Sequence, residues 1–459
     1  MTGRLGRSPR FSINGSDVLW AAAAGFLSLA TGVAAGVAPV MLAGLFATVA
    51  LTAAFVSRPV AVLFAILLVR ASLDRNDSFL NLGVATFAGA VGSLVFISGA
   101  LALAISAPRL PARTGSLALV GSLALSLASV TWSLDSAEGL RTWLHLGAVA
   151  VIFLVAAQAV RTPARLRLLV LVVLISAVVP VITGLYQLAT GTTYTRQGFS
   201  AIVGTFNHSN GFAFYLMIVT TLAIVLLFEA RRMAERAFAA ALLLGATVCF
   251  VVTYTRSAWL AIVVILALVG FLQYRQLLVV ATIALVAGAA AVPSSLGLVE
   301  ARFADLSAES SGYSDNSWAW RTENWSRMFH FATERPIQGW GISSYPVLAV
   351  QEFGSSNPRF SPRRGEAAGV YAHNDYLRLA VEVGIPGLLL WLAFLVSLCA
   401  AMWRGTRIAA IRPYAVALFS LMVAVIAISA VDNMQDYTAV MYYLVALCGG
   451  VVGVSRAAG

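Results

Sequence analysis

No lysine occurs in this chain; all 30 of its basic residues are arginine. It holds three cysteines and four histidines in 459 residues, and 11% of its positions are charged against 60% hydrophobic. A soluble chain of this length needs far more charged surface, so the bilayer must be the solvent for most of it, in line with a mean hydropathy of +0.88. Cys249, Cys399 and Cys448 all lie inside apolar runs, which reads as small buried hydrophobes rather than a disulfide or metal site. The sequence has no G-x-x-x-x-G-K-[ST] loop, no H-E-x-x-H and no C-x-x-C. An acidic D-x-D pair for a metal-bound nucleotide sugar is also missing, and nothing points to a haem or a nucleotide cofactor. The absence of lysine reflects residue usage and carries no mechanism.

What is present is a series of apolar stretches, near 18–36, 37–57, 59–72, 83–107, 115–132, 143–160, 166–189, 211–228, 238–255, 258–273, 277–297, 376–403, 413–431 and 437–455. A span needs about 20 residues; two stretches are short, so 12–14 transmembrane helices are expected, in an even number. The first run begins near Val18, after Arg4, Arg7 and Arg10, and is long enough to stay as a helix rather than be cleaved. The net charge of +11 does not imply a nucleic-acid partner, because the arginines sit in short clusters between apolar runs. Arg58, Arg109/Arg113, Arg161/Arg165/Arg167, Arg231/Arg232/Arg236, Arg275, Arg404/Arg407/Arg412 and Arg456 fall on one side of the threading. The positive-inside rule makes that side cytoplasmic, with both termini there.

From about Leu298 to Asp375 the chain turns polar, with seven arginines, nine acids and Trp318, Trp320, Trp325 and Trp340. Threading puts this segment outside. Structureless loops of this length are uncommon, so it is expected to be partly helical and functional. An amphipathic helix is expected over Asn316–Thr333, with Trp318, Trp325 and Phe329 on one stripe; an interfacial aromatic belt explains the same tryptophans. The resulting organisation is 1–189, N-terminal helices; 190–297, central helices; 298–375, the large outer loop; and 376–459, C-terminal helices.

Polar groups at a membrane edge are costly and usually have a task. Arg256 stands where one apolar run ends and the next begins, away from any cytoplasmic cluster. A planar fork of donors there suits a phosphate or diphosphate at headgroup level, and snorkelling or a structural ion pair is the plainer reading. His373 lies where the outer loop enters a helix, in Tyr371-Ala-His-Asn-Asp-Tyr-Leu377. Such a histidine can take a proton from a hydroxyl near neutral pH, or can simply cap the loop. Asn374 and Asp375 are candidate caps, Tyr376 shares the face of His373, and Glu382 is placed to pair with Arg378. His208, in Gly204-Thr-Phe-Asn-His-Ser-Asn-Gly211, fits either loop packing or a polar site lining; Arg196 follows Tyr194 in a Gly/Thr-rich outer loop. His145 and His330 read as structural.

These residues resemble the O-antigen ligase and polymerase superfamily of bacterial membrane glycosyltransferases. Arg256-Ser-Ala-Trp-Leu260 is similar to an R-x-x-x-L motif at an outer helix end, and His373 with Gly384 to an H-x10-G motif after the large periplasmic loop. Gly204–Asn210, Arg321-x3-Trp325, Pro336-Ile-Gln-Gly-Trp-Gly341 and His373–Leu377 look similar too, so the strong part covers roughly 190–390. The resemblance implies an all-α, GT-C-like polytopic membrane fold in the bacterial inner membrane with a periplasmic site. It implies a donor glycan on undecaprenyl diphosphate, with Arg196 and Arg256 on the diphosphate and Arg321 as a third contact. His373 would activate or orient the acceptor hydroxyl, with His208, Asn210, Trp325, Asn374 and Tyr376 as substrate contacts. Transfer would invert the anomeric carbon, with no metal and no cofactor. The acceptor stays open: lipid A core or another surface acceptor for a ligase, a second glycan for a polymerase, or a protein hydroxyl. Outside the enzymes, a polysaccharide or lipid transporter is the alternative; it would favour internal repeats and polar groups at the bilayer midplane, neither of which is evident.

Overall fold

Apolar runs of this length cross a bilayer only if every backbone N–H and C=O is satisfied within the segment, which selects helices. The computed structural model describes residues 38–74, 87–106, 115–196, 199–279, 317–353 and 371–458. The stretch expected at 18–36 and all but the first three residues of that expected at 277–297 lie outside these described residues. The first helices are α1 (Ala38–Ser57), α2 (Pro59–Arg70), α3 (Phe87–Ser106) and α4 (Ser116–Ser129). There follow α5 (Ser136–Ala159), α6 (Pro163–Ser176), α7 (Val178–Thr190), α8 (Ser209–Glu229), α9 (Met233–Val252) and α10 (Arg256–Leu272). The C-terminal part holds α11 (Ser317–Glu334), α12 (Tyr345–Phe353), α13 (Asp375–Glu382), α14 (Gly384–Gly405), α15 (Arg412–Ile428) and α16 (Thr438–Ala458). Among the described residues one antiparallel ribbon, β1 (Tyr194–Arg196) with β2 (Phe199–Ala201), accompanies the helices. Eight of the described helical stretches are long and apolar enough to cross a membrane, and four shorter apolar helices accompany them. The chain is an all-α polytopic membrane protein.

Two helices, α8 and α16, are buried almost throughout and form the centre of the described bundle. Around them α5 lies along α16, α9 and α15 flank α8, and α14 packs on α4 and α15. The stretch expected as a single span at 376–403 divides at Gly384: α13 is a short polar helix, and the apolar span starts only at Gly384.

That glycine is the one in the H-x10-G pattern, and the fold gives its reason. Its φ is +77°, and a Cβ there would lie 2.3 Å from the carbonyl oxygen of Ile337. The Pro336–Gly341 turn is zipped onto this junction by Ile385 N–H to Pro336 O, Trp340 N–H to Val381 O and Gly341 N–H to Glu382 O, each 2.8 Å. Left-handed backbone costs a side-chain-bearing residue roughly 1–2 kcal/mol before any clash. Gly384→Ala is therefore expected to lower the melting temperature and the folded yield of the detergent-purified protein, and an unchanged melting curve would refute the close approach.

The outer-loop helices dock in the same way. Ser133 Oγ donates to Ile342 O at 2.7 Å, Ile342 N–H to Ser129 Oγ at 3.1 Å, and Leu134 N–H to Ser344 Oγ at 2.9 Å. The expected helix over Asn316–Thr333 is present as α11, but its buried stripe is different. Asn324, Met328, Phe331 and Ala332 face inward with Trp325 half-buried, whereas Phe329 is 63% exposed. The periodicity of tryptophan alone misplaces the face because Asn324, a polar residue, sits at its centre.

Candidate functional site

Asp432 is where the site begins. It lies between α15 and α16, is 1% exposed, and is met from four directions. Asn210, in the first turn of α8, donates through Nδ2 to Oδ2 at 2.9 Å. Tyr437 OH and the Asn433 N–H reach Oδ1 at 3.2 and 2.9 Å. His373 Nδ1 stands 3.6 Å from Oδ1, an ion-pair distance rather than a hydrogen bond. Burial opposes ionisation of this carboxyl, but His373 and the charge of Arg321 outweigh it and hold Asp432 below the ordinary carboxylate value. Asn210 Oδ1 in turn accepts from Thr255 Oγ1 at 3.2 Å, so the residue before Arg256 belongs to the same network.

His373 is held rigidly. Its φ is +50°, a left-handed conformation that few residues other than glycine adopt and that signals a constrained position. The preceding Ala372 carbonyl accepts from Trp325 Nε1 at 3.1 Å and Asn324 Nδ2 at 3.3 Å, while Tyr345 OH donates to Asn324 Oδ1 at 2.6 Å. On the other side Asn374 Oδ1 caps α13 through the Leu377 N–H at 3.0 Å, and Asp375 N–H donates to Ser429 O at 2.8 Å. Tyr376 OH donates to Ile426 O at 2.6 Å. Thus Trp325, Asn374 and Tyr376, expected as substrate contacts, hold the histidine segment in place. The bond expected between Glu382 and Arg378 is replaced: Arg378 pairs with Asp436 and with Asp375 at 3.2 Å, and Glu382 Oε1 accepts the Tyr345 N–H at 3.3 Å. Burial pushes Asp375 up to about 7 despite Arg378 beside it.

His373 opens on a cavity of about 440 Å³ that also takes in Arg70, Asp74, His145, His208 and Tyr442. His208 caps α8, its Nδ1 accepting the Asn210 N–H at 3.1 Å. Arg70 pairs with Asp74 at 2.9 Å and lies 5.7 Å over the Tyr442 ring. Thr205 and Asn207 fasten the 204–211 loop to this corner through Ala71 O and Asp74 O at 2.6 and 2.9 Å. Among the described residues no group of three histidine, cysteine or acidic side chains is placed to hold a metal.

Of the residues singled out in sequence, the fold joins His373, His208, Asn210 and Arg321 around Asp432 and this cavity. Arg256 opens α10 directly after Thr255, half-buried and outside the cavity lining; Leu260 of its motif is 59% exposed on the helix flank. Arg196 closes β1 opposite Phe199, and its side chain lies outside the described structure. Asp432 and Arg70 were absent from the sequence expectations. Both stand at the end of an apolar run, and that position was the one signal that could have marked them.

Fold and site together define a multi-pass, all-α membrane protein with a buried acid behind a half-buried histidine at a polar cavity at one end of its bundle. Residues 239–392, about a third of the chain, match the family described as O-Antigen ligase, which supports the resemblance to that superfamily. The match runs from within α9 into α14 and so includes Arg256, Arg321 and His373. No curated protein matches the chain.

Proposed function

We propose that the chain transfers a glycan from an undecaprenyl-diphosphate carrier to an acceptor hydroxyl, on the membrane face that carries His373. The observation that supports this best is His373 lining an open cavity, with the buried Asp432 carboxylate 3.6 Å from its Nδ1. With the Asp432 carboxylate facing Nδ1, the proton on that nitrogen is favoured and Nε2 is left as the acceptor. The acceptor hydroxyl gives its proton to Nε2 as its oxygen bonds the anomeric carbon. The bond from that carbon to the diphosphate oxygen breaks, and undecaprenyl diphosphate leaves with the electron pair. Attack opposite the leaving group inverts the centre. Arg256, Arg321 and Arg196 bind the diphosphate and stabilise the charge that grows on it, so positioning and fixed cations supply much of the rate. This face is periplasmic and both termini are cytoplasmic, on the distribution of arginines.

Purified full-length protein, given an undecaprenyl-diphosphate-linked glycan and an acceptor, tests the arginine role. Arg256→Ala is expected to cut transfer by ~10²-fold or more, the usual loss when one charge-stabilising donor goes. Wild-type rates from equally inserted variant would remove Arg256 from the diphosphate site. Ligase and polymerase separate in deletion strains: loss of a polymerase leaves single repeat units attached, and loss of a ligase leaves long unattached chains.

A further inference from the structure

At the far end of the bundle lies a second cavity of about 520 Å³, unrelated to the His373 site. The chain itself fixes the separation: α8 runs from His208 at one site to Glu229 at the other, and 21 helical residues span roughly 30 Å. Its charged lining is Arg167, Arg231, Arg232, Glu229 and Glu235, with Tyr414 beside them. Three of these are already engaged. Arg167 is ion-paired with Glu235, and Tyr274 OH donates to Glu229 at 2.8 Å. Arg231 and Arg232 differ: both are exposed, and neither has an acidic partner among the described residues.

The turn that carries them is fixed. Ala230 N–H donates to Leu226 O at 2.8 Å, and Arg236 Nε donates back to Ala230 O at 2.9 Å. The first turns of α6, α9 and α15 border this cavity and the last turn of α8 meets it, so three positive helix ends stand against one negative end, over a lining with one more arginine than acid. The residues next along the chain from Arg167 and Arg232 are Leu168 and Met233, 48% and 74% exposed. An acyl chain can lie against them while the headgroup sits above.

We propose that this cavity binds the phosphate of a membrane phospholipid headgroup, with Arg231 and Arg232 as its forked donors. Two adjacent guanidinium groups on a fixed turn, neither paired with an acid among the described residues, match a phosphodiester oxygen pair. The inference is independent of the glycan-transfer reading.

Native mass spectrometry and thermal stability of the full-length protein in detergent test it, with phosphatidylglycerol, phosphatidylcholine and inorganic phosphate as the probes. Phosphatidylglycerol is expected to remain bound and to raise the melting temperature, with phosphatidylcholine weaker because its ammonium meets the surplus cations. Arg231→Gln with Arg232→Gln should weaken phosphatidylglycerol binding by about tenfold or more, since two charge-assisted contacts are lost. Arg231→Lys with Arg232→Lys keeps the charges that orient the segment and loses only the forks; it should bind several-fold more weakly, and it carries the test if the Gln pair fails to insert. Equal binding of the two lipids, or unchanged binding in the Lys pair and any folded Gln pair, overturns the proposal. Stabilisation by millimolar inorganic phosphate with no retained lipid would leave a soluble-anion site and overturn the lipid assignment.

Discussion

His373→Asn is expected to abolish most glycan transfer, by ~10²–10⁴-fold, the range over which a positioned proton acceptor contributes. Asparagine is the informative replacement because it tolerates the left-handed backbone at this position, where φ is +50°, and alanine does not. His373→Ala removes the base and also strains the turn between Ala372 and Asn374. His373→Asn removes only the base. Both variants should lose transfer, with His373→Asn keeping the wild-type melting temperature and donor binding. A His373→Asn protein that transfers at a tenth of the wild-type rate or better would mean that the histidine supports the loop and moves no proton. The plainer reading of this residue, a cap on the outer loop, would then be the right one.

How much of this was legible in the sequence depends on the range of the interaction. Most of the described spans followed from apolar length alone, because in a bilayer the local run decides the helix; the break of the 376–403 stretch at Gly384 did not. The motif residues Arg256, His373 and Gly384 were visible too, since each departs from its apolar surroundings. Their partners were not. Asp432 lies 59 residues beyond His373 and reaches it only because α15 returns the chain to the same end of the bundle. The buried stripe of α11 was misread for a related reason: Asn324 faces inward to meet Tyr345 and Ala372, and no periodicity of hydrophobic residues announces a buried amide. Likewise the roles of Trp325, Asn374 and Tyr376 turned on which backbone groups lay opposite them. Gly384 was legible as a motif, but its cause, the carbonyl of Ile337, belongs to a turn 47 residues earlier.

Asp432→Asn is expected to reduce the transfer rate by ~10²-fold or more with donor affinity nearly unchanged, because the carboxylate acts on the reaction only through His373. The amide keeps the size of the side chain and one acceptor oxygen, so the Asn433 N–H and Tyr437 contacts survive. Its NH2 faces Asn210 Nδ2, a donor against a donor, so some stability is lost as well, about 1–3 kcal/mol for one buried polar group left unmatched. Tyr437→Phe separates the two effects. It removes one charge-assisted hydrogen bond to Asp432, leaves the negative charge beside His373, and should change the rate far less than Asp432→Asn does. If Asp432→Asn and Tyr437→Phe fall equally, the carboxylate matters for packing alone. The pH dependence gives a second check. Asp432 is held below its ordinary value of 3.8 in the fold, so its contribution to stability is whole above that pH and is lost as pH falls through the lower folded value. The stability gap between wild type and Asp432→Asn should therefore close in acid, below about 4.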